Sequence, residues 1–188
     1  EISHEWWGTN LTAYDYGDLW LHEGFAEYLE ALFAESYMGK EIYNRYLHKF
    51  TYLTKNKRPI VKPYNVRYNN LIHEDDQDIY QKGALFLHTL RIQLNNDSLF
   101  FRTLKLAQQR FSKRNITSNE FMQFFNETTK TDFSSLFDVY LKRASSPVIE
   151  YHIDRTKGEI ATLQYRWESQ LPDGFSVKVN FLIGNKLT

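Results

Sequence analysis

Apolar residues recur at two different periods in this chain, and Pro147 separates them. Ahead of it, Phe25, Tyr28, Leu29, Leu32 and Phe33 fall three and four apart from Glu23 onward, the stripe of an amphipathic helix. Beyond it, "VIEYHI", "IATLQYRW" and "FSVKVNFLI" are rich in β-branched and aromatic residues and tend to alternate, the mark of strands. A chain with this switch is expected to be mainly α: an all-helical body over residues 1–146, then three strands in 147–188.

The helical part divides further. Gly39 is placed to stop the first helix. Ile42, Tyr46, Leu47 and Phe50 predict a second helix. Leu87, Leu90 and Leu94 predict one running from about Ile79 to Asn95, and Phe100, Leu104, Ala107 and Phe111 another. Thr117 and Glu120 stand at capping-box spacing, so a helix starts there. Phe133, Leu136, Phe137, Tyr140 and Leu141 mark a last one. Residues 54–78, with two Pro and several Asn, read as a long irregular connection, a kind that often lines functional sites. In "DRTKGE", Gly158 marks a hairpin connection. Three strands alone leave edges and an apolar face exposed, so 147–188 reads as the start of a β-sandwich cut short.

Composition removes several classes of function. Lys+Arg and Asp+Glu are equal at 23 each, so no basic surface excess draws the chain to nucleic acid. With 14 Phe, 13 Tyr and 4 Trp it can bury a large core, which disordered chains cannot. The absence of Cys excludes disulfides, thiolate metal sites and a Cys nucleophile. No apolar run is long enough to span a membrane, and no signal peptide is visible. The compartment stays open, with a periplasmic or extracellular one favoured over the cytoplasm, and so does the oligomeric state.

The chemistry concentrates in the first thirty residues. A His directly ahead of Glu1 would complete H-E-I-S-H. On a helix, two His four apart share one face, and both rings reach one zinc at about 2.0–2.1 Å. The intervening Glu then faces the metal's water as its base. Glu23 opens the next predicted helix, and a helix–loop–helix hairpin brings it back over the first. Taken singly, each residue has a plainer reading. A lone His-Glu pair near a terminus carries no meaning, and Glu23 alone is a helix-terminal carboxylate favoured by the helix dipole. Trp6, Trp7 and Trp20, which flank these residues, read as core packing. His22, His48, His73, His88 and His152 lack ligand spacing to one another.

The flanks and spacing settle the choice. "HEWWG" resembles the H-x-W-F/W-G that ends the zinc helix of the aminopeptidase N family of gluzincin zinc metallopeptidases. That family places eighteen residues between its second His and a ligand Glu in L-W-L-N-E-G-F-A. Here "LWLHEGFA" stands in that place, with eighteen residues between His4 and Glu23. The resemblance implies that His4 and Glu23 are Zn2+ ligands, that Glu1 is the catalytic base, and that Glu30 in "EYLE" bonds the ligand His from behind. "IYQKGALFLHTLR" is similar to the family's Y-x-K-G-A helix, which makes Tyr80 the hydrogen-bond donor to the oxyanion. Lys82 reads as a solvated or outlying charge and Gly83 as a site of close helix packing.

By the same resemblance the fold is the helical C-terminal portion of a thermolysin-like zinc-peptidase catalytic domain. The activity is zinc-dependent hydrolysis of N-terminal peptide bonds, on peptides with a free amino terminus. The sequence departs from the pattern at His22, where Asn is usual, and at Tyr16, where Trp is frequent. The first His and the G-x-M-E-N segment that captures the substrate's amino group lie outside these residues. The chain is therefore expected to be a fragment, inactive alone. Two other readings stay open: another hydrolase on the same scaffold (an endopeptidase or an epoxide hydrolase), or a non-catalytic helical binding module.

Overall fold

A computed structural model describes residues 1–63, 77–155, 161–168, 170–173, 175–179, 182–183 and 186–187. Its helices are α1 (Trp20–Met38), α2 (Lys40–Leu53), α3 (Asp78–Leu94), α4 (Asp97–Arg110), α5 (Ser118–Thr129) and α6 (Ser134–Leu141). Helix α1 begins three residues ahead of Glu23, because a 3-10 turn over Tyr16–Asp18 feeds into it. The Asp15 side chain caps that turn, accepting from the Gly17 N–H at 2.9 Å. Helix α1 stops where the periodicity places its end. Gly39 comes next at φ +90°, a left-handed conformation that favours glycine. The capping box of α5 is complete, with Thr117 bonded to the Glu120 N–H and Glu120 bonded back to the Thr117 N–H.

Aromatic side chains build the core between α1, α3, α5 and α6. Trp20 is fully buried and meets Phe86 and Phe121 edge-on at 5.8 and 6.0 Å. Phe86 meets Phe137 at 4.8 Å. These T-shaped contacts suit the ring quadrupole and add about 0.5–1.5 kcal/mol per pair beyond area burial. The Trp20 indole donates to Ser118 Oγ, whose hydroxyl donates in turn to buried Asp18. That chain locks the start of α1 to the start of α5. Helices α1 and α3 touch backbone to backbone at Gly24 and Gly83. Both glycines sit inside helices, where glycine costs about 1 kcal/mol relative to alanine.

Residues 1–146 are not all helical. Strands β1 (Leu11–Ala13) and β2 (Arg114–Ile116) pair in parallel, Leu11 with Arg114 and Ala13 with Ile116. Three residues apiece are too short to show a period, and the pairing joins positions about a hundred residues apart. Beyond Pro147, β3 (Ile149–Arg155) and β4 (Ala161–Trp167) form the expected antiparallel pair. Their connection, with Gly158, lies outside the described residues.

Of the third expected strand, the described residues are paired only at Leu182–Ile183. Among the described residues, 175–179 have no strand partner, and β5 (Leu182–Ile183) pairs with β6 (Lys186–Leu187). Helix α3 holds the segment instead. The Gln93 amide exchanges hydrogen bonds with the Lys178 backbone at 2.7 and 3.0 Å, and Phe175 and Val177 pack on the helical core.

The long connection is irregular where it is described, over 54–63, and 64–76, with His73, lie outside the described residues. The start of α3 is pinned to its near end. Buried Asp78 accepts from the Lys55 and Asn56 N–H groups at 2.7 and 2.6 Å. Lys82 departs from expectation. It is 2 % exposed, and its Nζ donates to the Arg143 and Ala144 carbonyls just past α6. Those bonds keep a buried cation partnered.

His88 lies among Tyr28, Tyr43 and Arg91, with Tyr43 Oη 2.7 Å from its Nδ1. Burial, reinforced by the Arg91 charge, pushes its pKa down to about 4. The unfolded chain binds that proton near 6.5, so stability is full above about pH 6.5 and declines as pH falls toward 4. The loss expected from this group is on the order of 3 kcal/mol. Denaturant unfolding of wild type and His88→Gln between pH 7 and pH 4 checks it: the variant should lose less over that interval.

Candidate active site

The first turn of the chain is a 3-10 helix over Ile2–Glu5, closed by a hydrogen bond from the His4 N–H to the Glu1 carbonyl at 3.0 Å. Trp7 anchors the end of this turn to the core. It is 2 % exposed and stacks on Phe25 of α1 with centroids 3.4 Å apart. Gly8 then turns the chain into β1, with φ at +145° and the His4 carbonyl 3.0 Å from where a Cβ would sit. "HEWWG" is thus a clamp that fixes His4 over α1. Trp7 and Trp20 are core residues, whereas Trp6 is half exposed and lines a cleft.

Glu1, His4, Glu23, Glu30 and Tyr80 all line that one cleft. His4 Nδ1 lies 3.1 Å from the Trp7 carbonyl. A carbonyl only accepts, so Nδ1 carries a proton, and Nε2 is the ring nitrogen turned into the cleft. Nε2 faces Glu23 Oε2 at 3.6 Å, too long for a hydrogen bond. Two donors at about 2.0–2.1 Å from a tetrahedral zinc stand roughly 3.4 Å apart, so this gap fits two ligands of one metal. The donor types, imidazole and carboxylate, fit as well. Among the described residues no three His, Asp or Glu side chains converge to hold a metal.

Burial pushes the Glu23 carboxyl above the usual carboxylate range; the neighbouring His4 opposes that shift and Glu1 adds to it. Glu30 sits on the same helix face and accepts from the Tyr46 hydroxyl at 2.9 Å. The hydrogen bond that orients His4 therefore comes from a backbone carbonyl and not from Glu30. His22 is also committed to structure, its Nε2 accepting from the Ala13 N–H at 2.7 Å and so tying β1 to α1. Tyr80 lies in the first turn of α3 and is partly buried at the cleft.

The peptidase family M1 domain matches residues 1–140. The chain belongs to peptidase family M1. Endoplasmic reticulum aminopeptidase 1 of Mus musculus is 26% identical over 180 residues, which are 90% of this chain and 19% of that protein. Aminopeptidase N of Lactococcus lactis subsp. lactis is 24% identical over 161 residues, 81% of this chain and 19% of that protein. A crystal structure of a mutant M1 zinc metallopeptidase of Deinococcus radiodurans bound to a Tyr-Ser-Ala substrate superposes with a TM-score of 0.62 at 25% identity. It covers 77% of this chain and 32% of the other. The chain thus spans about a fifth of the length of the curated relatives it matches.

Two features of this M1 domain escape a reading of the sequence. Glu27 lines the cleft one turn beyond Glu23, with one carboxylate oxygen buried and unpartnered. Burial, then Glu30, raises its pKa, with Lys49 opposing. Its signal is position alone, four residues after a ligand candidate on one helix face. Gly24 is the second. A glycine inside a helix, away from either cap, calls for a packing reason.

Proposed function

We propose that this chain is part of the catalytic domain of a zinc-dependent aminopeptidase. His4 and Glu23 bind the metal together with a third protein ligand from outside these 188 residues. The observation that carries the reading is the 3.6 Å approach of His4 Nε2 to Glu23 Oε2 in a cleft that also holds Glu1 and Tyr80. The M1 family match and the names of the relatives support the same assignment.

A bound zinc would supply a water that is nucleophilic near neutral pH and a Lewis acid for the scissile carbonyl. The chain's own residues do the rest. Glu1 takes the proton from the attacking water and delivers it to the departing amine. Tyr80 Oη donates a hydrogen bond to the oxygen that becomes negative, a contribution typically of about 10²–10³ in rate. Trp7 holds His4 in the tautomer that leaves Nε2 free.

The test is made on the full-length protein, by zinc per chain after dialysis and by hydrolysis of paired peptides with a free or an acetylated amino terminus. About one zinc per chain and cleavage of the free peptide alone are expected. Equal cleavage of both peptides would make the protein an endopeptidase, and no tightly held zinc would remove the metal from the reading.

A further inference from the structure

We propose that Gly24 and Gly83 are positioning residues that set Tyr80 against the His4–Glu23 pair; this rests on the zinc-peptidase reading. Gly24 directly follows Glu23, and Tyr80 lies one turn ahead of Gly83. A Cβ built on Gly24 would stand 2.9 Å from Gly83 Cα, 3.0 Å from its carbonyl carbon and 3.2 Å from the Ile79 carbonyl oxygen. Those atoms belong to the turn of α3 that carries Tyr80. In the other direction, a Cβ on Gly83 would stand 2.9 Å from Gly24 Cα. The two helices therefore meet main chain to main chain at the point where each presents a cleft residue.

Main-chain atoms cannot rotate away as the end of a side chain can. Cβ contacts become ordinary only at 3.4 Å and beyond, so a methyl on Gly24 drives the helices apart by about 0.5 Å or more at this point. Relief by sliding is blocked. Trp20 and Phe86 are fully buried against each other beside the crossing, and Asp78 fastens the start of α3 to Lys55 and Asn56. The displacement falls on the spacing between Tyr80 and Glu23. An oxyanion donor works within about 2.7–3.1 Å of its target, and a misplacement near 1 Å can cost on the order of 10² in rate.

A double-mutant cycle in the full-length protein tests this, with kcat, KM, zinc content and thermal unfolding measured for wild type, Gly24→Ala, Tyr80→Phe and the double variant. Gly24→Ala is expected to keep its zinc and to lose roughly 10- to 100-fold in kcat with little change in KM. On the Tyr80→Phe background the same substitution is expected to cost no more than about twofold, the scatter of independent sites. An equal loss in both backgrounds overturns the positioning role and leaves the zinc-peptidase reading standing. A Tyr80→Phe enzyme with unchanged kcat overturns the role of Tyr80 itself. If Gly24→Ala does not fold, Gly83→Ala runs the same cycle, since its added methyl meets only one atom inside 3.4 Å.

Discussion

Glu1→Gln in the full-length protein should lower kcat by about 10²–10⁴, the range a positioned general base contributes, while zinc content and KM stay near wild type. The substitution is nearly isosteric and removes only the capacity to hold a proton. Glu1 reaches the cleft from the turn whose backbone also carries His4, through the His4 N–H to Glu1 carbonyl bond. That turn depends on main-chain bonds and on the buried Trp7, not on the Glu1 carboxylate, so metal binding should survive. A paired measurement of zinc per chain and kcat separates the two roles. Activity within about threefold of wild type would remove Glu1 as the base, because loss of a positioned general base costs about 10² or more.

The sequence carried the elements whose signal is local. The stripe from Phe25 to Leu32, the stop at Gly39 and the box of Thr117 and Glu120 each depend on residues within one or two turns, and each forms as read, whereas Phe33 is 63 % exposed. Strands β1 and β2 have no such signal. They exist because a three-residue segment beside His22 meets another about a hundred positions away. Lys82 misleads for a related reason. A lysine on a helix is ordinarily solvated, and only the fold brings the Arg143 and Ala144 carbonyls to its Nζ.

The site divides the same way. The spacing from His4 to Glu23 and the flanks of each were visible as text, because a connection of fixed length, through β1 and a 3-10 turn, returns Glu23 to His4. The partner of the His4 ring was not. A family resemblance points to the Glu30 side chain, whereas the structure supplies the Trp7 carbonyl, and main-chain acceptors leave no trace in a sequence. Gly24 and Gly83 lie between these cases. Each is conspicuous as a glycine inside a helix, but that they face each other is a tertiary fact.

Glu23→Ala in the full-length protein should weaken zinc binding by more than the 10–100-fold that loss of an outer partner costs, and hydrolysis should fall with the metal. Glu23 is one of two donors converging here, and its carboxylate already carries the cost of burial beside Glu1 and Glu27. A divalent cation bound here would offset that cost by neutralising the carboxylates. Glu30→Gln is the contrasting variant. Its carboxylate is engaged by Tyr46, and the amide that replaces it keeps an oxygen for the same hydroxyl. Zinc affinity should then change less than about threefold, well short of what an outer partner of His4 would cost. Competition titration with a chromophoric chelator reads both variants on one scale. A strong loss for Glu30→Gln would mean that Glu30 moves to His4 when the metal binds, and that the Tyr46 contact belongs to the metal-free state. Unchanged affinity for Glu23→Ala would dismantle the site itself, since among the described residues Glu23 is the carboxylate paired with His4 Nε2.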